Sequence, residues 1–139
     1  DNDKLYGWSL LGEVCSALCD PTHAPRLYEL LSPYAERNVV CHPGCAIGSV
    51  SRYLGVLATL LERFDEAARH FEDALAMNEK MGARPWLAHT QHDYARLLVA
   101  RGTANDRAKG DALLATALAT YRELGMAGPL AKAESIAAR

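Results

Sequence analysis

The chain has 139 residues, half of them hydrophobic and 7 % aromatic, which predicts one domain with a buried core. Lys and Arg total 15 against 17 Asp and Glu, giving a net charge of −2, so the basic surface needed for direct nucleic-acid binding is missing. No apolar run approaches the roughly 20 residues of a membrane span and no signal peptide is visible, so we predict a cytoplasmic protein without membrane association.

Two helices are predicted in the first quarter of the chain, at residues 5–18 and 24–36. Pro33 lies inside the second pattern and is expected to bend or shorten that helix, because proline lacks the backbone donor. An irregular loop is predicted at residues 37–47. No alternating run of Val, Ile and Thr reaches strand length, so we expect no appreciable sheet.

The middle of the chain carries the clearest helical hairpin. Helices are predicted at residues 48–63 and 65–81, each with apolar residues spaced by three or four positions on one face. Gly82 is expected to end the second helix, since glycine adopts the left-handed conformation freely. The remaining helices are predicted at residues 85–100, 106–124 and 129–139.

This hairpin recurs with a period near 40 residues. A shift of 43 positions aligns Gly55 with Gly12 and Phe71 with Tyr28, and a forward shift of 40 aligns Gly55 with Ala95. A hairpin that occurs three times at such a period indicates a stacked helical array. We predict three hairpins and a C-terminal helix, at about residues 5–36, 48–82, 86–125 and 129–139.

The pattern resembles the tetratricopeptide repeat, which runs W-x2-L-G-x2-Y, then A-x3-F, then alanine. The matching residues are Trp8, Leu11, Gly12, Ala24 and Tyr28, then Leu54, Gly55, Ala67, Phe71 and Ala74, then Tyr94, Ala95, Gly110, Leu114 and Ala117. Ser51 replaces the tryptophan of the second hairpin, and the period exceeds the usual 34 residues. The resemblance covers nearly the whole chain and implies an all-α fold, a right-handed superhelix of three helical hairpins plus a C-terminal helix.

A finer resemblance extends from Leu54 through the run GARPWL at 82–87 to the run DYAR at 93–96. These segments resemble the C-terminal helical-repeat region of bacterial signalling ATPases, multidomain transcriptional regulators and nucleotide cyclases. The resemblance implies a non-catalytic module of a larger cytoplasmic protein in signal transduction or transcription regulation. Its partner is expected to be a protein, a peptide or a small effector, and exposed repeat ends allow a homodimer.

The same resemblance places candidate binding residues on the concave face, which the first helix of each hairpin lines. These candidates are Tyr6, Glu13, Arg52, Thr59, His89, His92 and Arg96. Such a partly cationic floor suits an acidic or carboxylate-bearing segment, held by charge-assisted hydrogen bonds. The alternative is that these residues are solvated polar positions without a ligand.

Other chemistry has less support in the sequence. His89 and His92 are spaced to serve a metal, but Asp93 is predicted to point elsewhere and Arg96 would repel a cation. Since metal sites need three or four ligands, we predict neither a metal nor a cofactor. No phosphate-binding glycine loop or catalytic motif is present, so we expect no enzyme activity.

The cysteines leave a second function open. Cys15/Cys19 and Cys41/Cys45 form two C-x3-C pairs, with His42 beside the second pair. If neighbouring helices bring the pairs together, they suit a soft-metal or redox sensor. The alternative is buried or incidental thiols, because free cysteine is commonly buried, and a structural disulfide is least expected in a reducing compartment.

Overall fold

The computed structural model describes residues 2–138, and within them the chain is mainly helical, with seven α-helices and one small sheet. The helices are α1 Asn2–Ala17, α2 Ala24–Leu31, α3 Val50–Leu60, α4 Phe64–Lys80, α5 Arg84–Arg101, α6 Ala104–Glu123 and α7 Ala127–Ala137. The predicted helical class is confirmed, and residue 139 of the predicted last helix lies outside the described residues. None of these helices is long and apolar enough to cross a membrane.

The predicted end of the second helix at residue 36 was wrong, but the expected shortening at Pro33 is confirmed. α2 ends at Leu31, and Ser32–Tyr34 form a short 3-10 turn that contains Pro33. Proline has no N–H to donate to the preceding turn, so the regular α-helix stops there. Leu31 itself is fully buried, so the shortened helix still contributes to the core.

The residues predicted as an irregular loop form an antiparallel β-hairpin. Its strands are β1 Asn38–Cys41 and β2 Cys45–Ser49. Cys41 lies opposite Cys45 beside the turn. Val39 is fully buried, and the Tyr53 hydroxyl donates to the Ile47 carbonyl at 2.8 Å. These contacts attach the hairpin to the beginning of α3.

The helices pack in a regular order. Each helix contacts the next one along the chain, and the odd-numbered helices also contact one another in the order α1, α3, α5, α7. Three hydrophobic clusters follow this order, represented by Leu54 in the first, Phe71 in the second and Tyr121 in the third. α3 lies deepest, with every residue from Val50 to Ala58 buried. The odd-numbered helices therefore form a continuous row, which positions the site described below.

One apolar face stays uncovered on α1. Leu11 matches a core position of the repeat pattern but is exposed, as are Leu10, Val14 and Leu18. Leu10 and Leu11 precede Val14 by four and three positions, so these three residues share one face of the helix, and Leu18 lies one residue beyond its end. The elements that pack on α1 within residues 2–138 are chiefly α2, α3 and β1, and they leave these residues exposed.

The two aligned glycines Gly12 and Gly55 differ in their surroundings. A Cβ atom built on Gly55 would lie 2.8 Å from Cε1 of Phe71, whose ring is fully buried between α3 and α4. A Cβ atom on Gly12 would lie 3.5 Å from Leu57, an ordinary contact distance. Of these two glycines, only Gly55 is therefore required for the close approach of its helix, α3, to α4.

We expect Gly55→Ala to lower the free energy of unfolding by about 1–3 kcal/mol, because the Phe71 ring must shift in a packed core. Gly12→Ala should raise it by about 0.5 kcal/mol, since alanine favours the helix and meets no clash. Urea unfolding of both variants measures the difference. Equal effects at the two positions would contradict this account of the packing.

Candidate functional site

A cavity of about 250 Å³ opens along the row of odd-numbered helices, and all four of them line it. Its charged and imidazole-bearing residues are Glu13 of α1, Arg52 of α3, His89, His92, Asp93 and Arg96 of α5, and Lys132 of α7. We call this site the polar cavity. It is the place where side chains from helices far apart in the sequence come together.

The polar cavity collects most of the candidate residues from the sequence. Five of the seven line it, namely Glu13, Arg52, His89, His92 and Arg96. Tyr6 packs against the first hydrophobic cluster instead. The Thr59 hydroxyl donates to the Gly55 carbonyl of its own helix at 2.8 Å, so it has no free proton for a ligand.

Arg52 forms the floor of the polar cavity and holds three helices together. Its Nε donates to Oδ2 of Asp93 at 2.9 Å, and its Nη2 lies 2.8 Å from the same oxygen in an ion pair. Its Nη1 lies 2.7 Å from Oε1 of Glu13, an ion pair whose direction does not meet hydrogen-bond geometry. Burial opposes the charge of Arg52, but Asp93 and Glu13 outweigh burial and raise its pKa above the ordinary value.

Three sequence predictions about this group were wrong. Arg52 and His92 were predicted to face solvent, but they are only 5 % and 7 % exposed. Asp93 was predicted to point elsewhere, yet it lines the polar cavity with the two histidines. A buried guanidinium requires a carboxylate partner, and α5 supplies Asp93 for that purpose.

The two histidines share one tyrosine partner. The hydroxyl of Tyr121 on α6 lies 3.1 Å from Nδ1 of His89 and 3.3 Å from Nδ1 of His92. A phenol has a single proton, so it donates to one Nδ1 and accepts from the other. The two rings therefore hold opposite tautomers, and their Nε2 atoms offer the polar cavity one donor and one acceptor.

Both imidazoles are neutral at pH 7. Burial lowers the pKa of His89 to about 4, with the nearby charge of Arg52 adding to the effect. Burial also lowers the pKa of His92. Both rings line the polar cavity, and because Tyr121 occupies their Nδ1 atoms, the Nε2 atoms are the ones left for a ligand. The pair therefore supplies hydrogen bonds without adding charge.

Two cations stand at the rim of the polar cavity. The Arg96 side chain is 48 % exposed, and its Nη1 lies 3.9 Å from Oδ1 of Asp93, which is too far for a hydrogen bond. Lys132 is exposed and forms no ion pair with any residue in the described part of the chain. Lys132 lies on α7, outside the three predicted hairpins, and the repeat positions therefore did not indicate it.

A larger cavity of about 520 Å³ lies at the other side of α5, between α6 and α7. Its walls are mainly apolar, with Leu98, Val99, Leu114 and Ile136 among them. None of the candidate residues from the sequence lines it. We therefore place the candidate site in the polar cavity, where the charged groups converge.

The four cysteines are free thiols. Cys15 packs against the first hydrophobic cluster, while Cys41 and Cys45 face each other across the hairpin. Within residues 2–138 no group of three or more His, Cys, Asp and Glu is arranged to hold a metal ion. The two C-x3-C pairs therefore do not join in a common metal site in this part of the chain.

We compared the chain with protein families, curated proteins and solved structures. No family model, no curated protein and no solved structure matches the chain. The geometry and charge of the polar cavity are thus the observations from which a function is inferred.

We expect Arg52→Met to lower the free energy of unfolding by about 3 kcal/mol or more, because Asp93, only 12 % exposed in its side chain, then loses its buried partner. The double variant Arg52→Met/Asp93→Leu should recover much of that loss. Arg26→Met is a matched control, since Arg26 pairs with Glu29 at the surface and should cost less than about 1 kcal/mol.

Urea or guanidinium unfolding measures all three variants. An Arg52→Met variant as stable as the Arg26→Met control would contradict the structural role of the buried pair.

Stability should fall as the pH is lowered from 7 to 5. The pKa of His89 drops from 6.5 to about 4 on folding, so below pH 6.5 the unfolded chain binds a proton that the folded chain does not. The lowered pKa values of His92 and His70 act in the same direction. Carboxylates titrate mostly below this range.

The measurement is the free energy of unfolding in urea at pH 7 and pH 5. His89→Gln should flatten the pH dependence, because it removes the group whose pKa falls on folding. If the free energy of unfolding changes with pH as steeply in His89→Gln as in the wild type, His89 is not the source of the pH dependence.

Proposed function

We propose that this chain is a non-catalytic interaction and effector-sensing module that binds its ligand in the polar cavity. One observation supports the proposal: five candidate residues line a single cavity formed by α1, α3, α5 and α7. We further propose a tetratricopeptide-like right-handed superhelix. In such arrays the first helices of the hairpins line the concave face, and the row of odd-numbered helices supports that assignment.

The groups of the polar cavity suit a partner that carries a carboxylate. Arg96 and Lys132 at the rim are free to donate charge-assisted hydrogen bonds. Arg52 is already bound to two carboxylates, so it supports the site and does not make the main ligand contact. A protein, a peptide or a small effector can present the required group.

Ligand binding in the polar cavity would act on the contacts between helices. Arg52 links α1 through Glu13 and α5 through Asp93. A ligand that competes for either carboxylate changes the relative stability of arrangements of these helices. This is the property that a sensing module needs in a larger cytoplasmic bacterial protein of signalling or transcription regulation, and self-association through exposed repeat ends is compatible with it.

The charge reversal Arg96→Glu tests this proposal. Because Arg96 is half exposed and makes only a long contact to Asp93, the variant should fold normally and lose partner binding. Tagged wild type, Arg96→Glu and the surface control Arg69→Glu are purified from the native cells, and retained molecules are quantified by native mass spectrometry.

We expect Arg96→Glu alone to lose the retained partner, with thermal unfolding close to that of the wild type. An Arg96→Glu protein that is folded and retains the same partner to the same extent would refute the polar cavity as the binding site.

A further inference from the structure

The polar cavity offers unused groups of both charge signs. Both Arg52 contacts to Asp93 fall on Oδ2, and Oδ1 of Asp93 accepts no hydrogen bond within residues 2–138. Nη1 of Arg96 lies 3.9 Å from Oδ1. This carboxylate oxygen and the Arg96 guanidinium thus form only a long ion pair, with no hydrogen bond between them, and both keep hydrogen-bonding capacity for a ligand.

The charges also differ between the two ends of the polar cavity. The lining helices follow one another in the order α1, α3, α5, α7. Glu13 on α1 is therefore at one end, and Lys132 on α7 is at the other. Between these two ends α5 carries one carboxylate, Asp93, one guanidinium, Arg96, and the two neutral histidines.

This pattern disfavours simple ions. A ligand with only negative charge would meet the carboxylates of Asp93 and Glu13, and a ligand with only positive charge would meet Arg96 and Lys132. Each would bring like charges together in a partly buried space, where their interaction is poorly screened. A ligand with one group of each sign satisfies both ends.

The size of the polar cavity limits the ligand further. A volume of about 250 Å³ equals roughly eight water molecules at 30 Å³ each. Most sites for larger small molecules exceed about 300 Å³. The space therefore suits a compact molecule of amino-acid size.

We propose that the polar cavity binds a small zwitterion of amino-acid size. Its carboxylate contacts Arg96 and Lys132, and its ammonium contacts Oδ1 of Asp93 and the partly exposed Glu13. The Nε2 atoms of His89 and His92 supply one donor and one acceptor to its remaining polar atoms. This inference rests on the proposed function, which names the polar cavity as the binding site, and it adds the chemical class of the ligand.

Isothermal titration calorimetry at pH 7 tests the inference with matched probes. The zwitterions are L-alanine, L-serine, L-glutamate and L-lysine. Propionate is L-alanine without its ammonium, and ethylamine is L-alanine without its carboxylate. At about 10 mM, where ligands of millimolar Kd are detected, we expect at least one amino acid to bind and neither fragment to do so.

Variants then locate the binding. Arg96→Gln and Lys132→Gln should each raise the Kd of the tightest-binding amino acid about tenfold, because each removes one charge-assisted hydrogen bond. Lys80→Gln is the matched control, since Lys80 is exposed at the end of α4 and should leave the affinity unchanged. Asp93 is left intact because its loss would also unpair Arg52.

Three results would overturn the inference. Propionate binding as tightly as L-alanine would make the ligand a simple carboxylate and leave the proposed function intact. If no amino acid binds, the proposal of a zwitterionic ligand is rejected. Whether the polar cavity binds any partner is tested separately, by the retention experiment with Arg96→Glu. An affinity unchanged in both Arg96→Gln and Lys132→Gln would place the amino acid elsewhere on the protein.

Discussion

The pairing of one buried guanidinium decides where the polar groups of this protein lie. Arg52 sits on the most buried helix, where an unpaired charge would cost several kcal/mol. Glu13 and Asp93 compensate it from the two neighbouring helices of the row. Because both carboxylates must reach the same guanidinium, α1, α3 and α5 are fixed relative to one another, and the polar cavity forms above the pair.

The surrounding fold holds α3 in place for this pairing. At its beginning the Ser49 hydroxyl accepts from the Ser51 amide, and the Ser51 hydroxyl donates to the Ala35 carbonyl. In its middle Gly55 allows the close contact with Phe71. A helix anchored at both points positions the Arg52 side chain with little freedom.

The sequence predicted the parts of the structure that depend on periodicity. The helices were found because apolar residues recur every three or four positions, and repeat positions identified five residues of the polar cavity. The β-hairpin was missed because its strands have only four and five residues and no alternating pattern. The burial of Arg52 and the role of Asp93 were missed because a repeat position specifies a face of a helix, not which side chain crosses to the neighbouring helix.

Tyr121 couples the tautomers of His89 and His92, so the hydrogen-bonding groups on this side of the polar cavity can change together. The donor and acceptor roles of His89 and His92 are coupled through one hydroxyl. To exchange them, one Nε2 must release a proton to the cavity and the other must take one up, while Tyr121 passes a proton between the rings. The donor and the acceptor that the two Nε2 atoms present can therefore exchange places by proton rearrangement alone, with the backbone unmoved.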